Sequence, residues 1–103
     1  MEDPVKLFKE ITGYVMEELG DAEKYIKKAM CYKTSKPELA QMFYNLSLEE
    51  MGHYALELAE LQKMASPLSV DGNPEMRLAY EVISEHSMDW ERSIKMMQQM
   101  FRE

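Results

Sequence analysis

Glu50 and His53 stand three residues apart in the stretch Leu46-Ser47-Leu48-Glu49-Glu50-Met51-Gly52-His53. On a helix this spacing leans a carboxylate and an imidazole over the same patch, where both can reach one cation. Glu18 falls in the middle of an apolar stripe made by Phe8, Ile11, Val15, Ala22, Tyr25 and Ala29. A charged Glu on such a stripe is costly to desolvate unless it is paired, protonated or bound to a cation. The economical account of two such Glu beside a His is a metal. Carboxylates with imidazole suit iron or manganese, and the lack of Cys ligands weakens the case for structural zinc. Iron is the leading ion, with manganese or zinc as the others this set would accept.

The elements that must position these residues are three helices. Start signals occur at Asp3-Pro4, at Ser35-Lys36-Pro37-Glu38 and at Asn73-Pro74-Glu75, each a capping residue followed closely by Pro and, in two cases, by an acid. Ser35 and Glu38 also have the spacing of a capping box. Lys33 to Lys36 reads as a short joint, and Ser66 to Gly72, with Pro67 and the pair Asp71-Gly72, as a longer one. The expected helices lie near 4–36, 37–66 and 74–102, in one domain over 1–103, an all-α fold of an antiparallel hairpin plus a third helix. Counted from the joint, Glu18 lies about four turns before it and Glu50 about four turns after it, so the two meet at one height.

On the second helix Leu39, Phe43, Leu46, Leu61 and Met64 mark one apolar face, with Glu50, His53 and Glu57 on its central stretch. Leu48, Met51, Ala55 and Leu58 mark a second face, so this helix must be covered from two sides. The third helix offers Met76, Tyr80, Ile83, Trp90, Ile94, Met97 and Phe101. Gly13, Gly20 and Gly52 imply close helix approach or room beside a ligand. Glu57 and Glu60 read as a solvated edge, and His86, beside Trp90, as an interface or partly buried histidine. Eleven Met residues fall mainly at core spacings, where Met fills irregular gaps.

Two Glu and one His are too few to shield a pair of ions. Helical bundles with two-metal centres take a Glu from each of two helices and Glu-x-x-His from two others. Two copies of this chain would supply four carboxylates and two imidazoles, balancing two divalent cations, so a symmetric homodimer or higher oligomer is expected.

The stretch Glu17-Glu18-Leu19-Gly20-Asp21-Ala22-Glu23-Lys24-Tyr25, with the Glu50 to His53 motif, resembles the ferritin-like superfamily, in particular its short rubrerythrin-type and encapsulated-ferritin-like members. The resemblance covers roughly residues 8–65. It implies a ferritin-like half-bundle completed by dimerisation, with Glu18, Glu50 and His53 as metal ligands and two iron ions per dimer. It also implies that Tyr25 hydrogen-bonds a ligand carboxylate from outside the metal shell. Ferroxidase-type oxidation of ferrous iron follows, with a separate iron-storage compartment as a destination for the product. The third helix departs from the family pattern: it has no Glu-x-x-His, and Glu85 and His86 are adjacent. The competing reading is a non-catalytic helical interaction module, its carboxylates exposed or paired with Lys24, Lys27 or Lys28.

Composition sets the limits. With 103 residues, 46% of them hydrophobic, the chain can build one thin core. A formal charge of -7 repels phosphate backbones, which argues against nucleic acid as a partner. The single Cys31 makes no internal disulfide, and no leader or long uncharged run stands out, so no membrane partner and a reducing cytoplasm are expected.

Overall fold

A computed structural model of the chain describes residues 3–67, 69 and 72–103. They form three helices, α1 (Pro4–Tyr32), α2 (Pro37–Ala65) and α3 (Pro74–Arg102), each of 29 residues, and no strand occurs among them. Asp71 of the expected turn pair lies outside the described residues. The body measures 52 × 25 × 15 Å, the outline of a flat, elongated bundle.

The helix starts follow the capping chemistry at two of three places. Val5 N–H donates to the Asp3 carboxylate at 3.0 Å, and Met76 N–H donates to Asn73 Oδ1 at 2.9 Å, each ahead of a Pro in the first turn. The expected capping box at Ser35 does not form: Lys36 is the cap residue of α2 and no side chain bonds there. The cause is the tightness of the joint. α1 stops at Tyr32, four residues short of the expected end, and Lys36 N–H donates to Tyr32 O at 2.9 Å. Pro37 drives the residue before it out of the helical region, and Lys36 sits at φ −142°, ψ 73°.

The core runs along Phe8, Val15, Leu19, Ala22, Ile26 and Ala29 of α1, with Met51, Tyr54, Leu61 and Ala65 of α2 and Met76 and Ile94 of α3. On α1 this corrects the phase of the expected stripe. Leu19 and Ile26 take its centre, while Ile11, Glu18 and Tyr25 move to its flank. On α2 the correction is larger: of Leu39, Phe43, Leu46, Leu61 and Met64 only Leu61 is buried. The buried stripe is Ala40, Tyr44, Ser47, Met51, Tyr54, Leu61 and Ala65. Small Ala40 and Ser47 let the backbones approach, and the Ser47 hydroxyl donates to Ala22 O at 2.8 Å.

α3 packs on both hairpin helices through the residues its pattern offered, with Tyr80, Ile83, Trp90, Met97 and Phe101 partly buried against the core. Polar contacts set its register. Trp90 Nε1 donates to Glu23 Oε2 at 2.9 Å, Tyr54 donates to Ser87 Oγ at 3.1 Å, and Gln98 Nε2 donates to Ser47 Oγ at 3.0 Å. Phe101 stacks on Tyr44 at 4.8 Å between centroids. α3 therefore covers the side of the hairpin bearing Glu23, Ser47 and Tyr54. The flank with Glu18, Glu50 and His53 stays open, and the apolar face of α2 that surrounds Glu50, made by Leu39, Phe43, Leu46 and Met64, is only half-buried.

Candidate metal centre

Glu18 on α1 and Glu50 and His53 on α2 converge as the hairpin register requires. One ligand atom from each lies within 4.8 Å of the others, the grouping among the described residues with metal-binding geometry. His53 Nδ1 is 3.6 Å from Glu18 Oε2 and 3.8 Å from Glu50 Oε1. These separations exceed a hydrogen bond. Donors that share one ion at about 2.1 Å stand about 3.0–3.4 Å apart, so small side-chain adjustments would close the cluster around a cation.

The electrostatics point the same way. Glu50 is pushed up to about 7, first by its hydrogen-bonding contact with Glu18, then by burial and by the Glu18 charge, with Asp21 adding and His53 opposing. Two carboxylates this close need a proton or a cation between them. The side chains of Glu18 and Glu50 are 20% and 19% exposed and that of His53 is 56% exposed, which puts the donors at the rim of an open face. Two carboxylates and an imidazole fit a first-row divalent ion.

Glu57 departs from the expectation of a solvated edge. Its Oε2 is buried and finds no hydrogen-bond partner among the described residues. Burial is the main reason its carboxyl lies above the usual range, with Glu50 and Glu17 adding and His53 opposing. Glu60, by contrast, is exposed and pairs with Lys63 at 3.1 Å. The sequence signal for Glu57 was its place one turn beyond His53 on the same face.

Tyr25 lies two turns from Glu18 along α1 and stacks on Phe43, 6.2 Å between centroids; among the described residues its hydroxyl has no hydrogen bond to a cluster carboxylate. Of the two expectations for His86, partial burial does not hold: it is exposed on α3, while its neighbour Trp90 turns toward Glu23. Gly20 faces Trp90, where an added Cβ would meet the ring at 3.9 Å, whereas nothing stands within 4 Å of Gly13 or Gly52. Since 3.9 Å is an ordinary van der Waals contact, close approach demands glycine at none of the three.

Neither Glu18 nor Glu50 pairs with Lys24, Lys27 or Lys28; Lys27 goes to Glu23 at 3.4 Å. An apolar groove of about 330 Å³ between the first turns of α1 and α3, walled by Val5, Phe8, Met76 and Ile83, contains no member of the cluster. Among the described residues no helix is long and apolar enough to cross a membrane. The chain matches no protein-family model, no curated protein and no solved structure.

Proposed function

We propose that this chain is a ferritin-like, iron-binding helical protein whose two-metal carboxylate site forms between two copies, each contributing Glu18, Glu50 and His53, and that it oxidises ferrous iron. The observation that carries this reading is the convergence of the three ligand atoms on the uncovered flank of the hairpin. The two carboxylates lie against each other with an imidazole beside them, a donor set whose mutual repulsion a divalent cation would relieve.

A second copy related by a two-fold axis would bring the remaining ligands and bury the half-exposed face around Glu50. Two ferrous ions held side by side supply two electrons, the number that takes dioxygen to peroxide or peroxide to water. The chain's own residues have simpler tasks. Glu18 and Glu50 would hold the ions and offset their charge, with carboxylate oxygens as hard donors that tolerate either oxidation state of iron. His53 sets one ligand direction. Protons enter through Glu50, which must give one up before a cation binds and can receive one when it leaves. The ferric product would pass to a separate iron-storage compartment.

Anaerobic ferrous titration followed by air tests the reading, with metal per chain and ferric absorbance as readouts. One iron per chain is expected, with loss of uptake in Glu50→Ala and His53→Ala. No bound iron, or uptake unchanged in both variants, sinks it in favour of a non-catalytic helical interaction module.

A further inference from the structure

A groove where the end of α3 meets the joint and the first turns of α2 is lined by two cations and no carboxylate. It holds about 440 Å³, a size within the range of small-molecule sites, and its apolar walls are Pro37, Ala40 and Phe101. The grooves near the start of α3 differ, since each sets a carboxylate beside its cation, Glu75 with Lys9 in one and Glu81 with Arg77 in the other. The surroundings reinforce the sign. Residues 24–36 contain five Lys and no acidic residue, in a chain whose net charge is -7. Glu38 and Glu103, the acids nearest in sequence, are exposed and line no part of the groove.

The polar groups of the groove have donors to spare. Tyr44 is only 8% exposed, yet its hydroxyl makes no hydrogen bond among the described residues. A tyrosine so deeply buried normally places its hydroxyl on a partner. The oxygen is not sealed in the interior either, where the buried side-chain oxygen without a partner is that of Glu57. What remains accessible of Tyr44 therefore includes its hydroxyl, and Tyr44 lines the groove. Lys33 has no carboxylate partner among the described residues, its ammonium lying 5.6 Å from the Phe101 centroid. Arg102 donates to Gln99 Oε1, which leaves further N–H groups of its guanidinium unused.

We propose that this groove binds a small aromatic anion, its ring resting on the Pro37, Ala40 and Phe101 walls and its charged head held by Lys33, Arg102 and the Tyr44 hydroxyl. Both halves of such a ligand are needed. A bare inorganic anion would leave the apolar walls wet, and a neutral ring would leave two cations and a hydroxyl without a partner. The site contains none of Glu18, Glu50 and His53 and stands apart from the metal reading. Tyr44, its nearest member on α2, lies six residues before Glu50, about 9 Å along the helix.

Titration calorimetry of the full chain with 2-naphthoate at low salt tests the site, with acetate and 2-naphthalenemethanol as the head and the ring taken separately. Saturable binding of one naphthoate per chain is expected, with acetate and the alcohol each weaker by about tenfold or more. Lys33→Gln with Arg102→Gln should weaken naphthoate about tenfold, and Tyr44→Phe about threefold or more. These variants keep the fold, because Lys33 and Arg102 are exposed and Phe preserves the ring that stacks on Phe101. Amide chemical shifts, recorded in parallel, should move within residues 33–44 and 98–103. No saturable binding up to about 5 mM overturns the proposal, as does an alcohol that binds as tightly as the acid. So does affinity unchanged in the double variant or in Tyr44→Phe, or a set of shifts centred instead on the groove by Val5 and Met76.

Discussion

Removing the titrating group from Glu50 in metal-free protein should flatten the dependence of stability on pH. In the folded chain this carboxyl is pushed up to about 7 from an ordinary value of 4.5. The folded state therefore holds the proton more tightly than the unfolded chain does. The stabilising contribution is complete below about pH 4.5 and is lost as pH rises through about 7. At about 1.36 kcal/mol per pH unit the ceiling is about 3 kcal/mol. Glu50 lies at the rim of an open face, where water and salt screen its neighbours, and a loss of about 1 kcal/mol is the working value. For a domain of this size that is about 4–8 °C in melting temperature. Thermal unfolding followed by circular dichroism, in excess chelator between pH 5 and pH 8, gives the comparison. The wild type should lose about 4–8 °C more than Glu50→Gln over that range, the difference cancelling every other titrating group. Equal pH slopes in the two proteins would refute the contact between Glu18 and Glu50 as the source of the shift. The sign reverses with metal, since a cation displaces the proton: stabilisation by added Mn²⁺ should grow from pH 5 to pH 8.

Two further substitutions test the packing that leaves the flank open. Ser47→Ala removes the hydroxyl that donates to Ala22 O and accepts from Gln98, leaving a buried amide donor without a partner. It should cost about 1–3 kcal/mol in urea unfolding, while the conservative Thr tests whether the hydroxyl or its volume matters. Gly13→Ala meets nothing within 4 Å and should stabilise α1 by about 0.5–1 kcal/mol; a loss of stability would mean that a neighbour the chain does not itself contain occupies that space.

Much of the fold was legible because its punctuation is local. Pro4, Pro37 and Pro74 each enter at the first turn of a helix, and the counted register brings Glu18 level with Glu50 and His53. The phase of α2 was not legible. This helix has two apolar stripes, and periodicity cannot say which one α1 and α3 will cover. The buried stripe is neither of these but runs between them, sharing Leu61 with one and Met51 with the other, along Ala40 and Ser47, where small residues permit close backbones and a buried hydroxyl satisfies groups from both neighbours. Glu57 was misread for a related reason: its exposure depends on how deep the α1–α2 groove lies at its level, which no spacing records.

The amino-acid sequence alone determined three helices, a hairpin joint and the height at which two carboxylates and an imidazole meet, because caps, proline geometry and helical rise act within a few residues of chain. Only the tertiary structure decided which flank of that hairpin α3 closes. Trp90, Ser87 and Gln98 find their polar partners on Glu23, Tyr54 and Ser47, so α3 settles on that side and leaves Glu18, Glu50 and His53 on the open one. That outcome depends on side chains far apart in sequence satisfying one another at once, a condition that exists only when all three helices are in place.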